Sequence, residues 1–335
     1  MTEPAKAKLS GVLFALTAFG LFATHDVIVK TLGASLVTFQ IVFFSVMLSM
    51  PLLLLMLMWD ETKSTLIPNH PWWTGLRTAA AVVGGSSAFY AFSVLPMAQV
   101  YALIFAAPLL ITVLSIPVLG ERVGLHRWAA VALGLVGVLV VLQPGSAELS
   151  LGHLAALVTA IAGALASVIV RKIGRDERSA VLLLYPMMAN FLIMGMALPL
   201  VYRPMPIESL GLVALMALLA FIAGLCLIAA YKRADAAIIA PMQYSQIIWA
   251  AAYGMFFFDE TADRATWAGA AIIITSGLYI VLRETFGGKS VVNPVSLSRM
   301  RPETGTSPRD HATLRGVRGR GRWAQVGLAK RPFPK

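Results

Sequence analysis

Two stretches decide how this chain is read: "LGERVGLHRWAAVALGLVGVLVVL" (119–142) and "FDETADRATWAGAAIIITSGLYIV" (258–281). Shifted by 139 residues, the first lies over the second, with Glu121 on Glu260 and Trp128 on Trp267. The match extends upstream, where Phe105 falls on Tyr244 and Ala98 on Ala237. At a shift of 141, "DVIVK" (26–30) lies over "SVIVR" (167–171) and Gly11 over Gly152. Apolar helices resemble one another by composition, but composition does not put charged and tryptophan positions in register. The chain reads as two copies of one unit.

Each unit is a set of apolar runs. The 335 residues are 58% hydrophobic and only 13% charged, whereas a soluble domain is about a quarter charged. Runs of about 20 apolar residues, at 1.5 Å rise per residue, match the thickness of a bilayer's hydrocarbon. Ten such spans are expected: 9–31, 35–58, 73–94, 97–118, 125–143, 151–171, 179–201, 209–231, 235–257 and 266–283. The predicted fold class is an all-α membrane protein, with ten transmembrane helices as two inverted five-helix repeats. Residues 1–8 form an N-terminal segment, 9–145 and 151–284 the two repeats, and 285–335 a basic tail. The segment "MTEPAKAK" leads into the first run with no A-x-A-like cleavage site at the usual place, so this run is expected to be retained.

Charge orients the bundle. Basic residues favour the cytoplasmic side. With the N-terminus inside, the inner segments hold twelve Lys and Arg residues and the outer ones three. Both termini are then cytoplasmic, as an even number of spans requires. An odd number of spans per unit places the two units upside down relative to each other. The loop holding Glu121 is basic and inside, while its mate "FDETADR" is acidic and outside. Inverted repeats of this kind characterise secondary transporters.

The tail carries most of the net charge. Through residue 284 there are 16 basic against 14 acidic residues, and beyond it 11 against 2. Rich in Arg, Gly, Pro and Ser and without apolar periodicity, it is expected to be disordered and to lean on anionic lipid rather than bind nucleic acid. The single cysteine, Cys226, excludes an internal disulfide and a cysteine-cluster metal site. The motifs G-x-x-x-x-G-K-[ST], H-E-x-x-H and G-x-S-x-G are absent. No enzyme activity, metal or cofactor is expected, and uphill transport would draw on an ion gradient.

Within the spans, polar residues are the informative ones. "THDVIVK" (24–30) places His25 and Asp26 inside the first run. A carboxylate at helix centre costs ~2.5–3.5 kcal/mol on insertion scales, so it faces protein or water. Two readings stand. Asp26 and Lys30, four apart, form a structural ion pair with Lys30 snorkelling to the interface. Alternatively His25 or Asp26 faces a cavity and binds substrate or a coupling proton. The second repeat keeps the basic residue as Arg171 but has Ala166-Ser167 in place of His-Asp, which makes the pair specific to the first half. In the ninth span Gln246 and Tyr253 share a helical face, with Gln243 beside them. Tyr101, Phe105 and Pro108 form a stripe on the fourth, and Tyr244 is the mate of Phe105. Amides need partners and aromatic rings make flat walls, so Gln243, Gln246, Tyr101, Phe105 and Tyr244 are candidate cavity residues. Interhelical hydrogen bonding is the alternative. The small residues of "VVGGSSAFY" (82–90) signal close packing or a locally unwound site, and "AGALAS" (162–167) signals packing. Lys30, Glu121 and Glu260 are structural or gating candidates at span ends.

The "LGE" after the fourth span, the following Trp and the Gly-rich fifth span "ALGLVGVLVVL" resemble the drug/metabolite transporter superfamily, specifically its ten-helix EamA-type permeases. "FSVLPMAQVYALIFAAPLL" is similar to that family's corner between the third and fourth helices. The likeness covers roughly residues 9–284. It departs where the second half has "FDE" in place of the family's Gly and carries Pro241 earlier than the "AAPLL" proline. The resemblance implies alternating-access transport of a small metabolite across a bacterial inner membrane. Members carry riboflavin or S-adenosylmethionine inward and amino acids outward. A cavity poor in basic groups and walled by aromatics leans to riboflavin. The expected partners are a small-molecule substrate and the lipid bilayer, with homodimer formation left open. Two other classes compete: a membrane enzyme acting on lipid, for which no nucleophile or metal cluster is seen, and a non-transporting partner protein acting through its basic tail.

Overall fold

A chain in hydrocarbon must satisfy its own backbone polar groups, and helices do so within one segment. The computed structural model accordingly places the apolar runs in helices. It describes residues 3–58, 65–121, 123–144, 149–174, 176–234 and 236–286; the basic tail lies outside them. The helices are α1 (Glu3–Gly33), α2 (Thr38–Met58), α3 (Pro71–Val94), α4 (Met97–Ile104), α5 (Ala107–Leu119) and α6 (Leu125–Leu142) in the first half. In the second are α7 (Leu151–Ile173), α8 (Ser179–Val201), α9 (Ile207–Arg233), α10 (Ala236–Ile239), α11 (Gln246–Phe258) and α12 (Arg264–Phe286). A 3-10 turn, Ala240–Ser245, joins α10 to α11.

Among the described residues, eight stretches are long and apolar enough to cross a membrane; α4 and α5 count as one of them. Two of the ten expected spans fall short. The third, α3, is long enough at 24 residues, but Arg77 and the Gly-Ser run lower its hydropathy. The ninth is interrupted: the ring of Pro241 removes a backbone donor, and the chain tightens into the 3-10 turn before α11 resumes. The fourth span is broken at the matching place, after Phe105, where Pro108 stands in the first turn of α5. Phe105 and Tyr244, mates in the repeat, thus both sit at a break.

Small residues set the tight crossings. α1 runs along α9, and α7 along α3. A Cβ on Gly11 would come within 2.8 Å of Ala234 Cβ, and one on Gly152 within 2.6 Å of Val94 Cγ2. α6 crosses α12 through Gly137 and Gly269: a Cβ on Gly269 would stand 2.6 Å from the Gly137 carbonyl. The hydroxyl of Ser276 adds a hydrogen bond to the Ala130 carbonyl at this crossing. α3 stays helical through residues 82–90, so the unwound reading of that run is corrected. Gly84 packs on Ala162 of "AGALAS", where Ser167 turns its hydroxyl back onto the Gly163 carbonyl at 2.8 Å.

The loops after α5 and α11 repeat as well. Gly120 ends α5 at φ 72°, and Asp259 ends α11 at φ 52°. Aspartate is among the few non-glycine residues that visit the left-handed region, which is how "FDE" occupies a glycine position.

Candidate functional site

The last turns of α1 and α7 carry the basic residues Lys30 and Arg171, and the loops after α11 and α5 carry Glu260 and Glu121. Lys30 Nζ lies 2.7 Å from Glu260 Oε1, and Arg171 Nη2 lies 2.6 Å from Glu121 Oε1. One ion pair therefore occurs twice, between repeat mates. Lys30 also donates to the Leu95 carbonyl at 2.6 Å, and Glu260 Oε2 accepts the Met97 N–H at 3.0 Å, capping α4. The expected Asp26–Lys30 pair is corrected by this geometry. The Lys30 ammonium reaches forward to the helix end, while Asp26 points into the bundle.

Asp26 is 3% exposed and the neighbouring His25 equally so. Nδ1 of His25 lies 2.7 Å from Asp26 Oδ1. The Tyr101 hydroxyl of α4 donates to Asp26 Oδ2. Gln246 Nε2, at the start of α11, donates to that hydroxyl at 3.2 Å. A polar chain thus runs from α11 through α4 to α1, joining three of the sequence candidates to Asp26. These groups share a low-dielectric setting in which each bond strengthens the next. Gln246 is fully buried, and its Oε1 has no hydrogen-bond partner among the described residues. Beside the chain, Thr24 Oγ1 and the Tyr253 hydroxyl are 3.0 Å apart, tying α1 to α11 a second time.

The aromatic candidates do not form open walls. Tyr101 and Phe105 are buried at 0% and 2% exposure. They pack on each other at 5.8 Å between centroids, and Phe105 meets Tyr244 edge-on at 5.0 Å. Tyr244 is half-buried, and its hydroxyl fills the space beside Gly277 of α12. Gln243 is half-buried on the 3-10 turn.

A partly open cavity is bounded by α1, α2, α3, α8 and α9, and His25 is the one predicted residue on its wall. Ser45 and Ser49 line it from α2, Gly85 and Phe89 from α3, and Met187 and Asn190 from α8. Of the three expected cavity helices, α1 lines this space through His25, while Tyr101 and Phe105 pack on each other and Phe105 on Tyr244. The sequence did carry a signal for Asn190: it is the single amide in the apolar run of α8. Gly85, one residue on from the packing Gly84, faces this cavity, so the Gly-Ser run serves both purposes. Among the described residues no group of three His, Cys, Asp or Glu side chains is placed to hold a metal.

These features define a polytopic helical membrane protein with an internal cavity and paired, broken spans. The chain belongs to the EamA-like transporter family, whose model matches residues 9–143 and 150–283. It is 27% identical over 285 residues to an S-adenosylmethionine uptake transporter of Rickettsia prowazekii, covering 85% of this chain and 96% of that one. A riboflavin transporter of Rhizobium johnstonii is 29% identical over 217 residues, 64% of this chain and 72% of its own length. A pseudopaline exporter of Pseudomonas aeruginosa is 26% identical over 275 residues, covering 80% and 94%. A solved crystal structure shares the fold with a TM-score of 0.54 at 19% identity, covering 84% of this chain and 99% of its own. The chain is a membrane transporter of the small-molecule type.

Proposed function

We propose that this protein is a secondary transporter that moves a small organic metabolite across the bacterial inner membrane by alternating access of two inverted five-helix repeats. The observation that carries the reading is the cavity, lined from the first half by α1, α2 and α3 and from the second by α8 and α9. Support for the inverted repeats comes from mates exchanging partners: α1 packs on α9 as α7 packs on α3, and the Lys30–Glu260 pair answers the Arg171–Glu121 pair. In this reading the first pair closes the outer side and the second the inner side. Both are formed in this structure, and rocking opens one of them at a time. His25, at the cavity wall with Asp26 behind it, is the substrate or proton contact. Tyr101 and Gln246 hold the Asp26 carboxylate in place.

The sequence-based lean to riboflavin drew on aromatic walls, and Tyr101 and Phe105 are packed away from the cavity. S-adenosylmethionine stands beside it as a second reading, because the relatives named for it match along more of the chain. The test is a substrate panel in proteoliposomes of the purified protein, headed by riboflavin and S-adenosylmethionine and followed by amino acids. Saturable uptake of one compound, abolished by excess unlabelled compound, is the expected result. Uptake no faster than in empty liposomes for the whole panel, in both membrane orientations, refutes the transporter reading.

A further inference from the structure

The two ion pairs close only part of the cavity rim. They tie α1 to the loop after α11, and α7 to the loop after α5. The helices α2, α8 and α9, which bound much of the cavity, take no part in them. The ends of those helices are held by a second set of contacts, and this set also occurs twice.

Gln40 stands in the first turn of α2 and is fully buried. Its amide grips the main chain of one residue in the link from α8 to α9. Nε2 donates to the Arg203 carbonyl at 2.8 Å, and the Arg203 N–H donates to Oε1 at 3.0 Å. Arg203 in turn donates from Nη1 to the Ser35 carbonyl at 3.2 Å. Glu177 precedes α8 and is 2% exposed. Its carboxylate accepts the N–H groups of Asn69 and His70, at 3.0 and 3.1 Å, just before α3. Asn69 Nδ2 also donates to the Asp176 carbonyl at 2.5 Å. Glu177 precedes the first residue of α8 and Arg203 follows its last. The clasps therefore stand at opposite ends of the bundle, separated by about 35 Å of helix.

Each clasp crosses from one half of the chain to the other, and each sits at the same corner of its repeat. The first residues of α2 and α8, Thr38 and Ser179, are 141 apart, the shift of the repeat. The gripping residues are out of register, since that shift places Gln40 on Val181 and Leu36 on Glu177. Two unlike side chains thus make the same kind of connection. Their partners, Asn69 and Arg203, are exposed and lie outside the helices, so water can take over the main-chain groups when a clasp opens. Two bonds exchanged with water bias a two-state equilibrium by about tenfold. The bonds to the Glu177 carboxylate are the stronger set.

We propose that Gln40 and Glu177 are gating residues, one at each mouth of the cavity, closing the side bounded by α2, α8 and α9 while the ion pairs close the other. The proposal rests on the transporter reading and adds two residues to its machinery. Lys30 ends α1 just before the corner of Gln40, and Arg171 ends α7 just before that of Glu177. Each clasp thus works with the ion pair at its own end: Gln40 on the outer side in the proposed orientation, Glu177 on the inner.

The test uses the full-length protein with Cys226→Ser and Ser45→Cys, in sealed right-side-out and inside-out vesicles. A membrane-impermeant thiol reagent then reports access to the cavity from each side. Gln40→Leu should raise the ratio of outside to inside labelling rates about tenfold, and Glu177→Leu should lower it by at least as much. The double variant should return the ratio towards its starting value. Gln40→Glu keeps the acceptor for the Arg203 N–H, and Glu177→Gln keeps an oxygen for one N–H. Both should shift the ratio less, in the same directions, and they carry the test if a leucine variant does not fold. A lower melting temperature with an unmoved ratio in the folded variants shows a structural stitch and overturns the proposal, as does a shift in the opposite sense. Uptake of the substrate panel by the same protein without these substitutions separates the two ideas. A carried compound with an unmoved ratio removes the clasps alone. A ratio that moves as expected with nothing carried keeps the clasps and removes the transporter reading.

Discussion

Glu260→Gln isolates the charge of one ion pair. The substitution keeps the size of the side chain and an oxygen for the Met97 N–H, but it removes the negative charge facing Lys30. The two side chains are 10% and 19% exposed, so the pair is largely desolvated. Removing one partner of a fully buried pair costs about 3–5 kcal/mol. Here Lys30 keeps the Leu95 carbonyl at 2.6 Å, which reduces the expected loss to about 1–3 kcal/mol. If this pair exists only in the outward-closed state, that loss shifts the closed-to-open ratio by about 5–150-fold. The assay is side-specific labelling. Cys226→Ser removes the single cysteine, and Ser45→Cys then reports cavity access to a membrane-impermeant thiol reagent. Glu260→Gln should raise labelling from the outside, and Glu121→Gln should raise it from the inside. Unchanged labelling and unchanged melting temperature in Glu260→Gln would refute the gating argument.

Asp26→Asn removes the charge that His25 and Tyr101 hold, and it should reduce uptake at least tenfold while the protein still inserts. Normal uptake in proteoliposomes would return Asp26 to a structural role. Tyr101→Phe deletes the hydroxyl between Asp26 and Gln246 and should lower the melting temperature by a few degrees, for a loss of about 1–3 kcal/mol; an unchanged melting curve would contradict the buried chain. Gly269→Val drives a side chain into the Gly137 carbonyl, 2.6 Å from an added Cβ, and should destabilise by several kcal/mol, read as loss of monodisperse protein in detergent. Deleting residues 287–335 should leave flux intact, whereas a protein acting through its tail would lose its activity.

Much of this fold was legible because the lipid-crossing requirement leaves a strong mark. Long apolar runs gave the helices, and the register of Glu121 with Glu260 pointed to loops that prove to share an ion pair and a left-handed residue. The breaks were harder. Pro108 and Pro241 are not repeat mates, yet both spans break at the same level, beside Phe105 and Tyr244. The site was legible in part. Expense marked Asp26 correctly as a buried, partnered group, but spacing along α1 named the wrong partner, since Lys30 has a longer reach than the helical pair rule assumes. Tyr101, Phe105 and Tyr244 read as cavity walls because sequence does not show whether facing rings interlock or stand apart. Asn190 was missed, although one amide in an apolar helix is the same kind of signal as one carboxylate.

The crossing of α6 and α12 has a mechanical consequence. Gly137 and Gly269 bring main chain against main chain, with no side chains between them that could re-pack into a second arrangement. Sliding of one helix over the other would meet Val141 and Ile273 on either side of the contact. This junction therefore behaves as a keel. Movement of the bundle has to be taken up by the interrupted rods and by the seams around α1 and α7, while the keel holds both halves to a common line.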